Sequence, residues 1–497
     1  MFVIVLKLFL DLQTQILLMK VLHVSAECYP AAKAGGLGDV AGALPKYLNQ
    51  AGIDTAVIMP KYRQKWIVQQ PWEHVYSGMV RMAGVQVPFY IHRNIGEDLG
   101  FELLSVDIPG LFDREGIYVD AQTSYGYSDE KERYIVFQQA VLQFVQQLPR
   151  FVDVLHCHDH HTGLIPFMVK HCPEYRNLAH IPTVFTIHNG MYHGAFSWSK
   201  AYLLPWYDAS TSGLLEWGNT INPLACGIKC CWQLTTVSPG YLMELLQSAN
   251  GLEWLIRNEM GKASGIINGI DTDVWNPESD PLISFRMNED INEFKRENKN
   301  VLMQRFNVRQ DLPLITFIGR LVNEKGADLI PDAIAKFLYD GGRASFVVLG
   351  TGDPALKNAF LKMKDQFVSF FDTSIEYNEA LSHQLYAGSD FLMMPSRVEP
   401  CGLNQLYAFR YGTIPIVRTT GGLADTVIDI SSGNGTGLRF DDFSMDALVG
   451  GFKRAALLYE RKELLWELRE KIIDLDYSWA KSAQKYADIY NKITLKN

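Results

Sequence analysis

VLHVSAECYPAAKAGGLGDVAGALPKYLNQAGIDTAVIM, residues 21–59, is the stretch on which the fold turns. Val21–Ala26 is a short apolar run with strand character. Lys33–Asp39 is a glycine-rich turn, and Val40–Gln50 has the spacing of an amphipathic helix closed by Gly52. Thr55–Met59 is a second apolar run. Strand, turn, helix and strand within about forty residues form a βαβ unit, which requires parallel strands with a helix laid over them.

The same alternation continues. Val152–Leu155, Thr183–Ile187 and Thr235–Val237 read as further strands of this sheet. Residues 72–107 carry alternating segments such as Val85-Gln86-Val87-Pro88-Phe89-Tyr90 and predict an inserted hairpin, and Gly110–Ser128 reads as loop. A second series starts near Gly265. Ile266-Ile267, Leu314–Ile318, Ser345–Leu349, Phe391–Met394 and Ile414–Val417 read as strands, and Asp328–Tyr339 and Asn404–Tyr411 as helices. The polar stretch 276–300 reads as a surface excursion of this second domain. The expected class is therefore α/β, with two doubly wound, Rossmann-like domains facing each other across a deep cleft. The predicted divisions are an extension over 1–19, a first domain over 20–263, a second over 264–478, and a C-terminal helix over 479–497 that packs back on the first domain. Met19 precedes the first convincing strand, so residues 1–18 are expected to lie upstream of the natural start.

A chain of 497 residues is too long for one core. Its 47% hydrophobic and 20% charged content is that of a globular enzyme, and a formal charge of −9 speaks against a nucleic-acid partner. The first segment is too interrupted by Lys7, Asp11, Gln13 and Gln15 to span a bilayer, and no membrane partner is expected. Seven cysteines without a metal spacing read as free thiols of a cytoplasmic protein.

Four segments carry chemistry. Ser396-Arg397-Val398-Glu399-Pro400-Cys401-Gly402-Leu403 places the carboxylate of Glu399 at a strand-to-helix turn, where an anionic ligand and an acid can meet. Gly319–Gly326 places Arg320 and Lys325 just past a strand; a planar fork and a point charge together suit a diphosphate, or else are two solvated loop charges. In Lys33–Asp39 the paired Gly35 and Gly36 let backbone approach a ligand beside a lysine, although the same residues make an ordinary βα turn. His156-Cys157-His158-Asp159-His160-His161 raises the possibility of zinc, but ligands from one strand end point in conflicting directions, so no metal is expected. One or two of these side chains should instead reach the ligand, beside His188-Asn189-Gly190. Tyr377 is placed either to stack on a base or as a surface turn residue.

Taken together these segments resemble bacterial glycogen synthases and plant starch synthases, the ADP-glucose-dependent retaining glycosyltransferases of family 5 with the GT-B fold. The matching segments, from Lys33–Leu37 and His156–Leu164 through Gly319–Gly326 to Ser396–Gly402 and Tyr411–Val427, extend over nearly the whole chain. The resemblance implies that Glu399, His161, Arg320 and Lys325 form the catalytic set. It implies donor contacts from Lys33, Gly35, Gly36, Asp39, Tyr377, Cys401, Gly402 and Leu403, and sugar-side contacts from His188, Asn189 and Asn268. The implied reaction moves glucose from ADP-glucose to the non-reducing end of an α-1,4-glucan with retention, without a cofactor, as an ADP-glucose:α-1,4-glucan 4-α-D-glucosyltransferase. Three departures stand out: Ala34 where threonine is common, His160 where tryptophan is usual, and Asn189-Gly190-Met191-Tyr192-His193-Gly194 in place of the common Asn-Leu-Ala-Tyr-Gln-Gly. Tyr407 occupies the second acidic position of the wider E-x7-E pattern, as is usual for this family. A UDP-glucose-dependent enzyme, an enzyme acting on a small acceptor, and a non-catalytic glucan-binding homologue stay open as alternatives.

Overall fold

The computed structural model describes residues 18–120, 123, 125–148 and 152–495. The expectation that residues 1–18 lie upstream of the natural start falls, for residues 1–17, outside the described residues. The chain divides into two compact units, one of residues 1–236, 248–264 and 482–497, the other of residues 237–247 and 265–481.

In the first unit the strands are β1 (Lys20–Val24), β2 (Asp54–Pro60), β3 (Trp72–Met82), β4 (Val85–Asn94), β5 (Glu102–Asp107), β6 (Val154–His158), β7 (Thr183–Ile187), the short antiparallel pair β8 (Glu216–Trp217) and β9 (Thr220–Ile221), β10 (Gln233–Thr236) and β11 (Ala263–Gly265). The main sheet runs β11-β10-β7-β6-β1-β2-β5-β4-β3. β10, β7, β6, β1, β2 and β5 are parallel, and β4 and β3 turn antiparallel at the edge. The predicted hairpin is thus β3–β4, extended from the sheet through β5. Strand β11 ends at Gly265, so Ile266 and Ile267, read above as a strand, follow it as irregular backbone. The sheet reverses its direction of growth between β1 and β6, which makes the carboxyl ends of these two strands the topological switch point.

The helix Gly36–Gln50 begins inside the glycine-rich turn, earlier than its apolar spacing suggests, and carries Pro45 in its interior. Proline offers no N–H to the carbonyl four residues back. That carbonyl, on Ala41, instead accepts from the buried thiol of Cys28 at 3.4 Å. All seven cysteines are buried and unbridged.

The second unit holds β12 (Leu314–Ile318), β13 (Ser345–Leu349), β14 (Phe371–Ser374), β15 (Phe391–Met394), β16 (Ile414–Arg418) and β17 (Leu438–Phe440) in the order β14-β13-β12-β15-β16-β17, all parallel. Its strands are almost wholly buried, as a parallel sheet covered on both faces demands. The switch point falls between β12 and β15.

The polar stretch 276–300 departs from its sequence reading. Its second half is the start of the helix Ile291–Arg305, capped by Asp290, whose carboxylate accepts from the Asn292 and Glu293 amides. Lys295 and Lys299 of this helix are buried. Lys295 Nζ donates to the Tyr386 and Tyr411 carbonyls and to Thr413. Lys299 Nζ lies 2.8 Å from Asp390, which also pairs with Arg469 at 2.6 Å. Charges that read as solvated are interior, Lys299 in an ion pair and Lys295 on neutral oxygens, because these partners come from residues about ninety and more positions downstream.

Candidate functional site

Both switch points carry residues singled out in the sequence. In the second unit β12 leads into Gly319 and Arg320, and β15 leads into Ser396–Glu399. Gly326, with φ +69°, lets the loop after β12 come flush against Pro395, since a Cβ there would overlap the Pro395 carbonyl. This contact sets Lys325 over Glu399. Lys325 Nζ lies 2.7 and 2.8 Å from the two carboxylate oxygens, and Ser396 Oγ donates to Oε2 at 3.0 Å. The Glu399 side chain is 7% exposed, that of Lys325 25%. A carboxylate held this way is fixed in position but keeps oxygen lone pairs for a further partner. Arg397 beside it turns away, pairing with Asp328 at 2.6 Å and stacking over Phe443.

The turn after β16 holds the main chain of the same residue. Gly422 N–H donates to the Glu399 carbonyl at 3.1 Å, and Gly421 N–H to Glu244 at 2.7 Å. Gly421 has φ +43°, and a side chain there would run into the Glu399 carbonyl. The amides of this glycine turn are therefore taken by protein acceptors. The helix Pro239–Leu245 packs here too: Ser238 donates to the Pro400 carbonyl at 2.6 Å, and Gly240 N–H to Asp425 at 2.7 Å. Cys401 is buried, its thiol pushed up to about 12 by burial and faced by the Asn268 backbone amide. Asn268 itself is buried with its side-chain oxygen lacking a partner among the described residues. Gly402 has φ +74°, and Leu403 is half-buried at the start of the helix Asn404–Arg410. Arg320 is mostly exposed, 3.7 Å from Glu324. Tyr377 is 80% exposed on the loop after the edge strand β14.

In the first unit, β1 leads into the Lys33 turn. Lys33 Nζ lies 2.6 Å from Asp39. The turn is shaped by Glu27, a residue the sequence reading passed over. Its buried carboxylate accepts from the amides of Ala34 (2.5 Å) and Gly35 (2.9 Å) and from the Tyr118 hydroxyl (2.6 Å). Burial raises its pKa against the lowering effect of these three donors. The signal available in the sequence was only an acid between the strand and the turn.

The six-residue histidine segment His156–His161, which spans the end of β6, is almost entirely interior. His161 is buried, stacked on Tyr118 at 4.8 Å and tilted against Tyr134 at 4.5 Å, with Nδ1 unpartnered among the described residues. His160, where tryptophan is usual, lies against His161 at 3.7 Å and near Glu130, whose carboxyl is drawn down to about 2 chiefly by the His160 hydrogen bond. Asp159 has φ +56° and ψ −179°, backbone that non-glycine residues avoid. It is held there because its Oδ1 accepts from the amides of His188 (2.7 Å) and Asn189 (3.3 Å), tying the ends of β6 and β7 together. Burial raises this carboxyl to about 7. The departure His193 bonds the Gly190 and Ala249 carbonyls.

His156 and His158 lie buried on the strand itself. His23 of β1, which the sequence reading did not single out, completes a stack with them. Nitrogens of His23, His156 and His158 lie within 4.8 Å of one another, as do ligand-type atoms of Glu130, His160 and His161. The first trio does not suit a metal. His23 Nδ1 and His158 Nε2 already face each other at 3.1 Å, within hydrogen-bond reach, and so are not both free to bind an ion. Both nitrogens of His156 are also engaged, with Tyr490 at 2.7 Å and Thr186 at 2.6 Å.

Two doubly wound α/β units, each with basic and polar side chains at its switch point, define a glycosyltransferase of GT-B architecture. The starch synthase catalytic domain family matches residues 20–258, and the group 1 glycosyl transferases match residues 298–474. A glycogen synthase of Flavobacterium johnsoniae is 44% identical over 479 residues, covering 96% of this chain and 99% of its own. One of Bacillus licheniformis is 38% identical, with 95% and 98% covered. The catalytic domain of starch synthase IV from Arabidopsis thaliana, solved with ADP and acarbose, superposes with a TM-score of 0.85 at 32% identity, covering 96% of this chain and 99% of that one. Sucrose-phosphate synthase of Thermosynechococcus elongatus shares the fold alone, at TM-score 0.61 and 14% identity, covering 96% of this chain and 100% of its own. The chain belongs to the glycogen synthase family. Among the described residues no helix is long and apolar enough to cross a membrane.

Proposed function

We propose that this glycogen synthase homologue transfers glucose from ADP-glucose to the 4-hydroxyl at the non-reducing end of an α-1,4-glucan, with retention. The observation that carries this reading is the Lys325–Glu399 pair at the β12/β15 switch point of a chain 44% identical to a glycogen synthase. In this reading the bond from the sugar's anomeric carbon to the diphosphate oxygen breaks. The acceptor oxygen forms its bond on the same face, its proton passes to the departing phosphate oxygen, and ADP leaves. Arg320, Lys325 and Lys33 offset the negative charge that grows on the diphosphate. Glu399, its carboxylate already oriented, steadies the glucosyl group as positive charge develops on it. Tyr377, with its exposed ring, stacks on adenine, and Cys401, Gly402 and Leu403 line the donor. Gly35, Gly36 and Asp39 complete the donor side from the turn that Glu27 shapes. His161 holds the donor glucose, and His188, Asn189 and Asn268 lie on the sugar side; the unpartnered oxygen of Asn268 is suited to accept from a hydroxyl. No metal is needed in this reading if these cations offset the diphosphate's charge.

The test is a panel on purified protein: ADP-glucose against UDP-glucose, with glycogen, maltooligosaccharides and monosaccharides as acceptors. ADP release with ADP-glucose and glycogen is expected, and Glu399→Ala should abolish it while ADP still binds. Preference for UDP-glucose would overturn the donor assignment, and glycogen binding without ADP release would make the protein a glucan-binding homologue.

A further inference from the structure

The histidines on the β1–β6–β7 face form a hydrogen-bonded chain with a direction. His23 Nδ1 lies 3.1 Å from His158 Nε2, and His158 Nδ1 lies 2.9 Å from His188 Nε2. The register produces this: His23 stands beside His156 across β1 and β6, His158 shares the face of His156 two residues on, and His188 follows directly on β7. All three rings are buried. Burial drives His23 and His188 down to about 3 and His158 well below the ordinary imidazole range. Each ring is therefore neutral and carries a single N–H.

Each nitrogen–nitrogen hydrogen bond needs one proton between two rings. With one N–H per ring, the protons along the chain all point one way or all the other. The far end decides which. His23 Nε2 is buried and has no partner among the described residues. Orphaned buried N–H donors are rarer than orphaned acceptors, so the proton of His23 belongs on Nδ1 and Nε2 stays bare. His23 then donates to His158 Nε2, and His158 donates from Nδ1 to His188 Nε2. The proton of His188 is left on Nδ1, the nitrogen that no chain member uses.

We propose that His23 and His158 are positioning residues that fix His188 as its Nδ1–H tautomer, so that it presents a hydrogen-bond donor to a hydroxyl oxygen of the glucan. The donor function rests on the sugar-side role given to His188 above; the proton order does not. Nothing else in the stack competes for these protons, because His156 spends its nitrogens on Tyr490 and Thr186.

Selective ¹⁵N labelling of histidine in the full-length protein, read by long-range proton–nitrogen correlation at neutral pH, tests the order directly. Wild type should show His188 protonated at Nδ1. H23Q, whose amide N–H can still donate to His158, should keep that signature. H23L should move His188 toward the Nε2–H form and raise the glycogen KM several-fold with kcat close to wild type. A wild-type His188 protonated at Nε2, or an H23L protein with His188 still on Nδ1, overturns the proposal. If H23L fails to fold, the wild-type and H23Q spectra decide. H188A with an unchanged glycogen KM would overturn the sugar-side role while leaving the proton order standing.

Discussion

Lys325→Ala separates pairing from packing at the switch point of the second unit. The ammonium reaches both oxygens of Glu399, at 2.7 and 2.8 Å, and the carboxylate has one further donor, Ser396 at 3.0 Å. Removing one partner of a fully buried pair costs about 3–5 kcal/mol, and of an exposed pair about 0–1. Here the carboxylate side chain is 7% exposed and the lysine 25%, and Ser396 still donates after the change. The expected loss of stability is therefore intermediate, about 2 kcal/mol. Glu399→Gln removes the charge that needs compensation, so in that background the same lysine truncation should cost no more than about 0.5 kcal/mol. Urea unfolding of the four proteins of this cycle measures the difference. In steady-state assays Lys325→Ala should lower kcat on the order of 10²-fold or more, because the charge proposed to offset the developing diphosphate is lost. Equal destabilisation in both backgrounds would show that the lysine packs rather than pairs. A kcat within a few-fold of wild type would remove Lys325 from the transition state.

Arg320→Ala should leave stability within about 0.5 kcal/mol, since the side chain is largely exposed, while raising the donor KM and lowering kcat together; an unchanged kcat would mean that the arginine only binds. Gly421→Ala should destabilise by at least about 1–3 kcal/mol and depress activity, because the added Cβ meets the Glu399 carbonyl at a left-handed φ; wild-type melting temperature and activity would refute the close approach. Burial alone would push the Asp390 carboxyl up, but Lys299 and Arg469 outweigh it and hold the group at about 2. A depressed carboxyl stabilises the fold above its unfolded pKa of roughly 3.9 and loses that contribution as pH falls toward 2. Asp390→Asn should therefore abolish about 2 kcal/mol of acid-dependent stability in that window, measured by unfolding at pH 5 and pH 2.5; an unchanged acid slope would refute the assignment.

The fold was legible because its evidence is local. Val21–Met59 contains strand, turn, helix and strand within one stretch, and later strands such as Thr183–Ile187, Leu314–Ile318 and Phe391–Met394 are short, largely apolar runs, while the β3–β4 hairpin shows in its alternation. The short strands β14 and β17 lacked such runs and were not read. Lys295 and Lys299 were misread because what makes a lysine interior is a partner far away in sequence: Tyr386, Asp390 and Tyr411 come together with this helix only in the folded unit.

The candidate site divides in the same way. Residues proposed to meet a ligand with their own chemistry, such as Glu399, Arg320 and Lys325, stand in motifs and can be found by eye. Residues that act on other residues do not. Glu27 is one acid between a strand and a turn until Ala34, Gly35 and Tyr118 converge on it, and His23 is one polar residue in an apolar strand until the β1–β6 register sets it beside His156 and His158. Asp159 shows the same dependence, since its strained backbone has a reason only once its carboxylate joins the ends of β6 and β7. All three lie at the carboxyl ends of, or within, the strands that flank the switch point of the first unit. Parallel pairing at a switch point brings distant segments to one place, so the residues hardest to read singly are those that the topology gathers around the ones that were read.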